Sequence, residues 1–258
     1  MRQERRFYKT GGLGVTRLAS LTLHAEKLHR DDVWAAVERL AQRAAGLGAR
    51  LTFFVHPFWA LAAGADIATR VVRLAELGHE IGQHTHYYDA RTGRVPGHKA
   101  GDLDPGNVVR RLEEDRAALE RAGVPPRGFV SGAWAFPEGL AEWLAGHGFT
   151  YDCSLRTYAP PSNASGMTPA AAPHFLRDGL LEVPTTAPLR RAIGLLPGSA
   201  RLGDLAYRLV YCHDDDLLDL RKRAALGYLL AILPFRGWRL VSAGEIAQCC
   251  REELMRHG

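Results

Sequence analysis

The sequence predicts an α/β protein built as a deformed (β/α) barrel of about seven strands. Short, almost continuously apolar segments alternate with amphipathic helical segments along nearly all of the 258 residues. Apolar strands divided by helices indicate a parallel sheet that is covered by helices. At this length a barrel, closed or incomplete, is favoured over an open doubly wound sheet. The glycine cluster Gly11–Gly14 precedes the first strand, and no nucleotide-binding glycine motif follows any strand, which weakens the open-sheet alternative.

Each predicted element has its own local signal. The candidate strands are apolar or β-branched runs bounded by turn residues: Leu18–Leu23, Arg50–Val55, Glu80–His84, Gly128–Ser131, Phe149–Cys153, Leu180–Val183, Leu209–His213 and Trp238–Val241. The candidate helices repeat apolar residues every three to four positions and mostly begin near an acid or proline or end near a glycine: Asp31–Leu47, Asp66–Leu77, Asn107–Ala122, Pro137–His147, Asp215–Leu230 and Ala243–Arg256. Tyr88–Pro105 and Tyr158–Pro173 are predicted to be long loops, which in a barrel build the site.

Composition and length predict one domain over residues 1–258, with a core from about residue 18 to residue 246. Hydrophobic residues make up 47% and charged residues 24%, so a disordered or fibrous chain is excluded. The longest near-apolar stretch, Ala224–Phe235, is about half the roughly 20 residues that a membrane span needs. Met1–Thr10 is polar and lacks the apolar segment of a signal peptide, so we expect a cytoplasmic protein.

Charge and cysteine content favour neither a nucleic-acid partner nor a disulfide framework. The formal net charge is +5, and the basic residues are scattered without a stripe of interleaved aromatic side chains. Cys153, Cys212, Cys249 and Cys250 form no CxxC pair, so they are predicted to be small, partly buried thiols. The oligomeric state cannot be inferred from these features.

The informative pattern is histidine at the ends of predicted strands: His24, His56, His84, His86 and His213. The carboxyl ends of parallel strands meet at one mouth of a barrel, so these imidazoles are expected to meet in one pocket. Imidazole together with carboxylate is a ligand set for a divalent ion, with zinc favoured over magnesium. His84 and His86 share a face if the third strand extends that far, because side chains alternate along a strand.

Several polar residues can also be explained by structural roles. His79 and His147 stand next to helix-ending glycines and are predicted to be cap residues. Glu26 is either a metal ligand or an ordinary acid before a helix. Asp214–Asp216 are either functional or complement a helix dipole.

The chain resembles the polysaccharide deacetylase (NodB-homology) family from about Leu18 to Ile246. The segment Gly78–Thr85, GHEIGQHT, is close to the family's GHEIGxHT and is the most specific match. The other matching segments are LTFFV at Leu51–Val55, YDCS at Tyr151–Ser154, LVYCHD at Leu209–Asp214 and GWRLVSAGEI at Gly237–Ile246. The resemblance implies a deformed (β/α) barrel and metal-dependent removal of an acetyl group from a sugar, with His84 as a ligand and His213 as the general acid.

The departures from the family pattern affect the positions that bind metal and catalyse the reaction in that family. The family's Thr-Phe-Asp-Asp motif, which supplies the base and a ligand, is here Thr22 to Ala25, with His24 and Ala25 in place of the aspartates. The family's His-x-x-x-His motif has Tyr88 in place of its second histidine, and Val130 replaces the arginine of the third motif.

Two interpretations follow from these departures. In the first, the site is rebuilt as a zinc centre: Glu26 or His24 replaces the lost aspartates and His86 the lost histidine, while His24, Glu26 or Asp89 acts as base and His213 as acid. Trp134 and Tyr88, with Asp89 nearby, are then predicted to contact an amino sugar or a glycan precursor, although Trp134 also suits a core position. In the second, the site is inactive and the protein binds a carbohydrate or a partner. A two-carboxylate glycosidase on a similar barrel is a third candidate.

Overall fold

The structure is a computed structural model that describes residues 15–62, 64–87, 105–162, 168–194 and 199–257. Its strands are β1 (Thr16–Ala25), β2 (Thr52–Val55), β3 (Glu80–Thr85), β4 (Gly128–Ser131), β5 (Tyr151–Asp152), β6 (His174–Arg177), β7 (Leu180–Glu182), β8 (Ala187–Pro188), β9 (Ala200–Leu202), β10 (Leu205–His213) and β11 (Arg239–Leu240). Its helices are α1 (Asp31–Gly46), α2 (Phe58–Ala62), α3 (Ala68–Glu76), α4 (Pro105–Arg121), α5 (Leu140–Gly146), α6 (Leu189–Gly194), α7 (Leu220–Phe235) and α8 (Ala243–His257). Gly132–Trp134 and Asp214–Leu218 form short 3-10 turns.

The strands of the described residues form one curled sheet. Nine of them follow the order β6-β7-β5-β4-β3-β2-β1-β10-β8, while β11 pairs with β1 and β9 with β10. All pairs are parallel except β6 with β7 and β9 with β10. With helices packed around it, this mostly parallel half-barrel confirms the predicted deformed (β/α) barrel.

The strand count exceeds the prediction because three short strands carry no apolar run. Most residues of β6 are exposed, and β8 is two residues long. β9 has one buried residue, Ala200. In β10 the prediction began at Leu209, but the strand starts at Leu205, because Arg208 interrupts the apolar run while the backbone ladder with β1 continues.

The predicted cap role is confirmed for His147 and is wrong for His79, because the C-cap residue of α3 is Leu77. His147 is the C-cap residue of α5, and its Nδ1 lies 2.7 Å from the Trp143 carbonyl oxygen. His79 is buried, where Nδ1 accepts the Leu51 backbone N–H and Nε2 donates to the Ala41 carbonyl oxygen at 2.9 Å. His79 therefore links α1 to the start of β2 and lies outside the site described below. Among the described residues, no helix has both the length and the apolar character to cross a bilayer.

A pair of fully buried carboxyl groups, Asp152 and Glu182, lies side by side where β5 pairs with β7. Ser154 Oγ donates to Asp152 Oδ1 at 2.5 Å, and the Leu155 N–H donates to Glu182 Oε1 at 3.0 Å. Burial raises the pKa of Asp152 to about 6 and, with the neighbouring Asp152 charge, raises the pKa of Glu182 well above its usual value. Burial of the pair therefore favours the protonated form of both carboxyl groups.

Replacing Asp152 with asparagine is expected to stabilise the protein at alkaline pH. Both carboxyl groups bind protons more tightly in the folded state, so wild-type stability falls as pH rises above the ordinary value of about 4. The asparagine keeps the oxygen that accepts from Ser154 and offers an N–H to Glu182. The free energy of unfolding in urea is expected to increase by about 1–3 kcal/mol at pH 8 and to change little at pH 4.

The exposed Asp178, in the turn between β6 and β7, provides the control, since Asp178→Asn is expected to change neither value. If Asp152→Asn is less stable than wild type at pH 8, ionised Asp152 does not destabilise the folded protein.

Candidate metal centre

The carboxyl ends of β1, β3 and β10 bring four histidines and one glutamate to the same mouth of the sheet. His24 lies near the end of β1 and is paired in register with His213 at the end of β10. Glu26 follows β1 and stands two residues after His24, so both side chains emerge on the same side of the strand. Ala25, between them, points into the apolar core and is 1% exposed. His84 lies within β3, and His86 follows it.

Glu26 is the centre of this cluster. Its Oε1 lies 3.3 Å from His84 Nε2, 3.1 Å from His86 Nε2 and 3.7 Å from His213 Nε2. Ligand atoms of Glu26, His84 and His86 all lie within 4.8 Å of one another. Tetrahedral zinc with ligands at about 2.0–2.2 Å places neighbouring ligand atoms about 3.3–3.6 Å apart. The Glu26 oxygen therefore stands at separations close to those of a zinc site from both imidazole nitrogens.

The hydrogen bond on the far side of the His84 ring supports a cation at this point. His84 Nδ1 lies 2.9 Å from the Val130 carbonyl oxygen, which only accepts, so Nδ1 carries a proton. A neutral His84 then presents the lone pair of Nε2 to Glu26 Oε1. Two lone pairs at 3.3 Å require a cation between them, either a proton or a metal ion. A histidine that donates its other ring N–H to a backbone carbonyl is the usual arrangement of a metal ligand.

The electrostatics of the cluster also suit a bound cation. Burial alone would raise the pKa of Glu26, but His84 and His86 outweigh it and hold that pKa well below its usual range. Burial lowers the pKa of His86 to about 4. Burial, reinforced by His84 and His213, lowers the pKa of His24 well below its ordinary value. An ionised carboxylate and neutral imidazoles are the protonation states in which these groups bind metal.

A buried network beneath the cluster holds β3 in place. His56 follows β2, and its Nδ1 lies 3.1 Å from both the His84 carbonyl oxygen and Asp115 Oδ2. Thr85 Oγ1 donates to the same Asp115 oxygen at 2.8 Å. Asp115 comes from α4, so this helix supports the backbone of the strand that carries His84.

His213 is oriented by the 3-10 turn that it begins. Its backbone N–H donates to Asp216 Oδ2 at 3.0 Å. Its Nε2 faces the metal centre and lies 3.7 Å from Glu26 Oε1. The adjacent Asp214 is buried and accepts the Lys27 backbone N–H at 2.7 Å, which fixes the chain that follows Glu26. Burial raises the pKa of Asp214 to about 7.

Aromatic rings enclose His24 on the other side of the cluster. The His24 ring stacks on Tyr211 at 5.1 Å between centroids and lies 5.5 Å from the Trp134 ring. Trp134 also meets the edge of Tyr211 at 4.8 Å. Ala133 and Trp134 have φ values of 53° and 59°, a left-handed conformation that is costly for residues with a side chain. This strained turn brings the half-buried Trp134 ring against His24.

The structure thus gathers most of the predicted site residues into one cluster: His24, Glu26, His84, His86, His213 and Trp134. Tyr88 and Asp89, predicted to contact substrate, lie outside the described residues. Tyr211 was missed, although its position two residues before His213 on the same face of β10 signalled it. Gly132 and Asp115 were also missed. Gly132 packs closely against the His86 ring, and Asp115 contacts His56 from a helix that is remote in sequence.

Solved polysaccharide deacetylases have a similar fold. A protein from Mycobacterium smegmatis assigned as a polysaccharide deacetylase superposes with a TM-score of 0.61 at 18% identity, covering 92% of this chain and 91% of that chain. Peptidoglycan deacetylase PdaC from Bacillus subtilis gives 0.56 at 13% identity, covering 94% and 97%. BA3943 from Bacillus anthracis, a CE4 family pseudoenzyme, gives 0.56 at 12% identity, covering 90% and 66%.

At these identities the likeness establishes the shared fold and no more. The sequence matches no established family profile and no curated protein.

Proposed function

We propose that this protein is a metal-dependent hydrolase that removes an acetyl group from an amino sugar or a glycan precursor. The observation that carries the proposal is the convergence of Glu26, His84 and His86 within 4.8 Å, at the mouth of a fold shared with polysaccharide deacetylases. Glutamate and two histidines form a ligand set used by catalytic zinc, with an open position for water.

Glu26, His84 and His86 would hold the ion, which we expect to be zinc. When bound, a divalent ion supplies Lewis-acid polarisation of the acyl carbonyl and lowers the pKa of water. His24 is buried, neutral and next to the donors, so it is the described residue best placed to accept a proton from water. His213 would act as the acid in its doubly protonated form, giving the Nε2 proton to the departing nitrogen or oxygen and ending as neutral imidazole, while His24 keeps the proton taken from water. Trp134 and Tyr211 offer an apolar surface to the sugar ring.

A non-catalytic carbohydrate-binding or partner-binding protein is the second candidate. Two features favour it: Ala25 and Val130 stand at positions where the resembled family has a ligand and an arginine, and BA3943 shows that this fold occurs in a pseudoenzyme. Metal content separates the two candidates, since the hydrolase needs an ion and a binding protein need not hold one.

His84→Ala and His213→Ala are expected to differ in their effects on zinc content and turnover. His84→Ala removes a donor, so stoichiometric zinc in protein purified without chelator is expected to be lost along with deacetylation. His213→Ala is expected to lower turnover by at least about 100-fold, the usual scale of acid–base catalysis, while zinc content stays intact. Elemental analysis and acetate release from N-acetylated sugars measure both.

His147→Ala, remote from the cluster, serves as the control for both variants. Equal zinc loss in His213→Ala would make His213 a ligand instead of an acid. Wild-type protein that holds no metal after careful loading would overturn the hydrolase proposal.

A further inference from the structure

Next to the candidate metal centre, one arginine contacts two aromatic rings. The guanidinium carbon of Arg156 lies 4.9 Å from the centre of the Trp134 ring and 5.7 Å from that of Tyr158. The guanidinium carbon of Arg191, from α6, lies 5.2 Å from the centre of the Tyr158 ring. Trp134 also contacts His24, so the same tryptophan contacts both Arg156 and the candidate metal centre. We refer to Arg156, Trp134, Tyr158 and Arg191 as the arginine–aromatic cradle.

Within the part of the chain that the structure describes, neither arginine of the cradle forms an ion pair with a carboxylate. Among the described residues, no carboxylate oxygen lies within 4.0 Å of Arg156, whose guanidinium donates instead to the Pro160 carbonyl oxygen. Arg156 Nε is buried and has no hydrogen-bond partner among those residues. The sequence explains this isolation, because no aspartate or glutamate occurs in residues 153–177 or in residues 183–203.

A half-buried arginine without a carboxylate is costly unless a ligand supplies the negative charge. Burial lowers the pKa of Arg156, which is the sign of an incompletely compensated charge. Contacts with the two rings restrict the guanidinium, and a guanidinium recognises a carboxylate or phosphate through paired N–H groups. The strained turn at Ala133 and Trp134 provides one of these rings.

We propose that the arginine–aromatic cradle is an anion subsite that selects an amino sugar carrying a phosphate ester or a carboxylate. The inference rests on the proposed function only in taking a sugar as the ligand. Arg156 pairs with the anionic substituent, Trp134 contacts the sugar ring, and the acetyl group faces the metal centre. Arg191 adds a second positive charge on the far side of Tyr158 and strengthens the preference for an anion.

Binding of three matched probes to zinc-loaded protein tests the subsite without requiring turnover. The probes are N-acetylglucosamine, N-acetylglucosamine 1-phosphate and N-acetylmuramic acid, titrated by calorimetry against wild type, Arg156→Gln and Arg156→Lys. A hydrogen-bonded ion pair contributes about 1.5–3 kcal/mol, so at least one anionic probe is expected to bind about 10-fold or more tightly than the neutral sugar. Arg156→Gln is expected to remove this preference, and Arg156→Lys to retain part of it.

Arg208 provides a matched control, because it also stacks on a tryptophan, with its guanidinium carbon 4.4 Å from the Trp238 ring. It lies five residues before His213 on β10, so Arg208→Gln is expected to keep the wild-type preference. Preference for the phosphate alone or for the carboxylate alone identifies which anion the subsite takes.

Equal affinity of wild type for all three probes overturns the proposal. So does a preference that persists in Arg156→Gln, because it would place the anion on the metal centre. An anion preference that depends on Arg156 in a protein that releases no acetate would leave the subsite standing and refute the hydrolase alone.

Discussion

Glutamine at position 26 is expected to abolish stoichiometric zinc binding and, with it, deacetylation. Glu26 Oε1 lies within 3.3 Å of both His84 Nε2 and His86 Nε2, so this oxygen is shared by the whole donor set. Glutamine has nearly the same shape but carries no charge. Since loss of a supporting partner alone costs about 10–100-fold in metal affinity, loss of this ligand is expected to cost at least about 100-fold. Zinc titration by calorimetry and acetate release measure the two effects.

The apo protein tests whether this effect is specific to metal. Chelator-treated Glu26→Gln is expected to unfold close to the chelator-treated wild-type temperature, because the carboxylate is 14% exposed and its removal leaves no cavity. Glu38→Gln, a surface pair with Arg73 at 3.5 Å, serves as the matched control. A Glu26→Gln protein that binds zinc as tightly as wild type would remove Glu26 from the ligand set and favour His24 in its place.

Gly132→Ala is expected to weaken zinc binding about 10- to 100-fold although it replaces none of the proposed ligands. A Cβ on Gly132 would stand 2.4 Å from His86 Cγ and 2.6 Å from His86 Nδ1, far closer than carbon atoms approach. The His86 ring must therefore move away, and Nε2 moves with it. Zinc affinity and zinc-dependent thermal stabilisation are the measurements.

Gly146→Ala is the matched control for this substitution, because no atom lies within 4 Å of a Cβ built there. Chelator-treated Gly132→Ala is expected to remain folded by circular dichroism. Wild-type zinc affinity in this variant would show that the position of His86 does not matter, and His86 would then leave the ligand set.

The overall fold was predictable because each of the main strands combines an apolar run with a nearby turn signal. The half-barrel follows from β1, β2, β3, β4 and β10, whose segments are buried and repeat with intervening helices. The boundaries were harder to predict. Helix α7 was expected from Asp215, but Asp214–Leu218 form a 3-10 turn, and Asp219 caps the helix by accepting the Arg221 and Lys222 backbone N–H groups. With several aspartates close together, the sequence does not indicate which of them caps the helix.

The part of the candidate site that lies at the ends of strands could be predicted from the sequence. His24, His84 and His213 each occupy the end of a buried strand, so their meeting followed from the topology. The supporting contacts could not be predicted in this way, because they depend on distances between remote segments. The bond between Asp115 and His56 spans 59 positions, and that between Asp214 and Lys27 spans 187. Arg156 has no motif around it, and its importance appears only once its aromatic neighbours are in place.

The polar residues of the candidate metal centre come in two pairs, His24 with Glu26 and His84 with His86, and one residue separates the members of each pair. The resembled family instead uses adjacent aspartates and histidines four positions apart. Glu26 lies one position after Ala25, whereas His86 lies two positions before Tyr88. A comparison that scores aligned positions one by one therefore records two missing ligands and does not consider the neighbouring side chains.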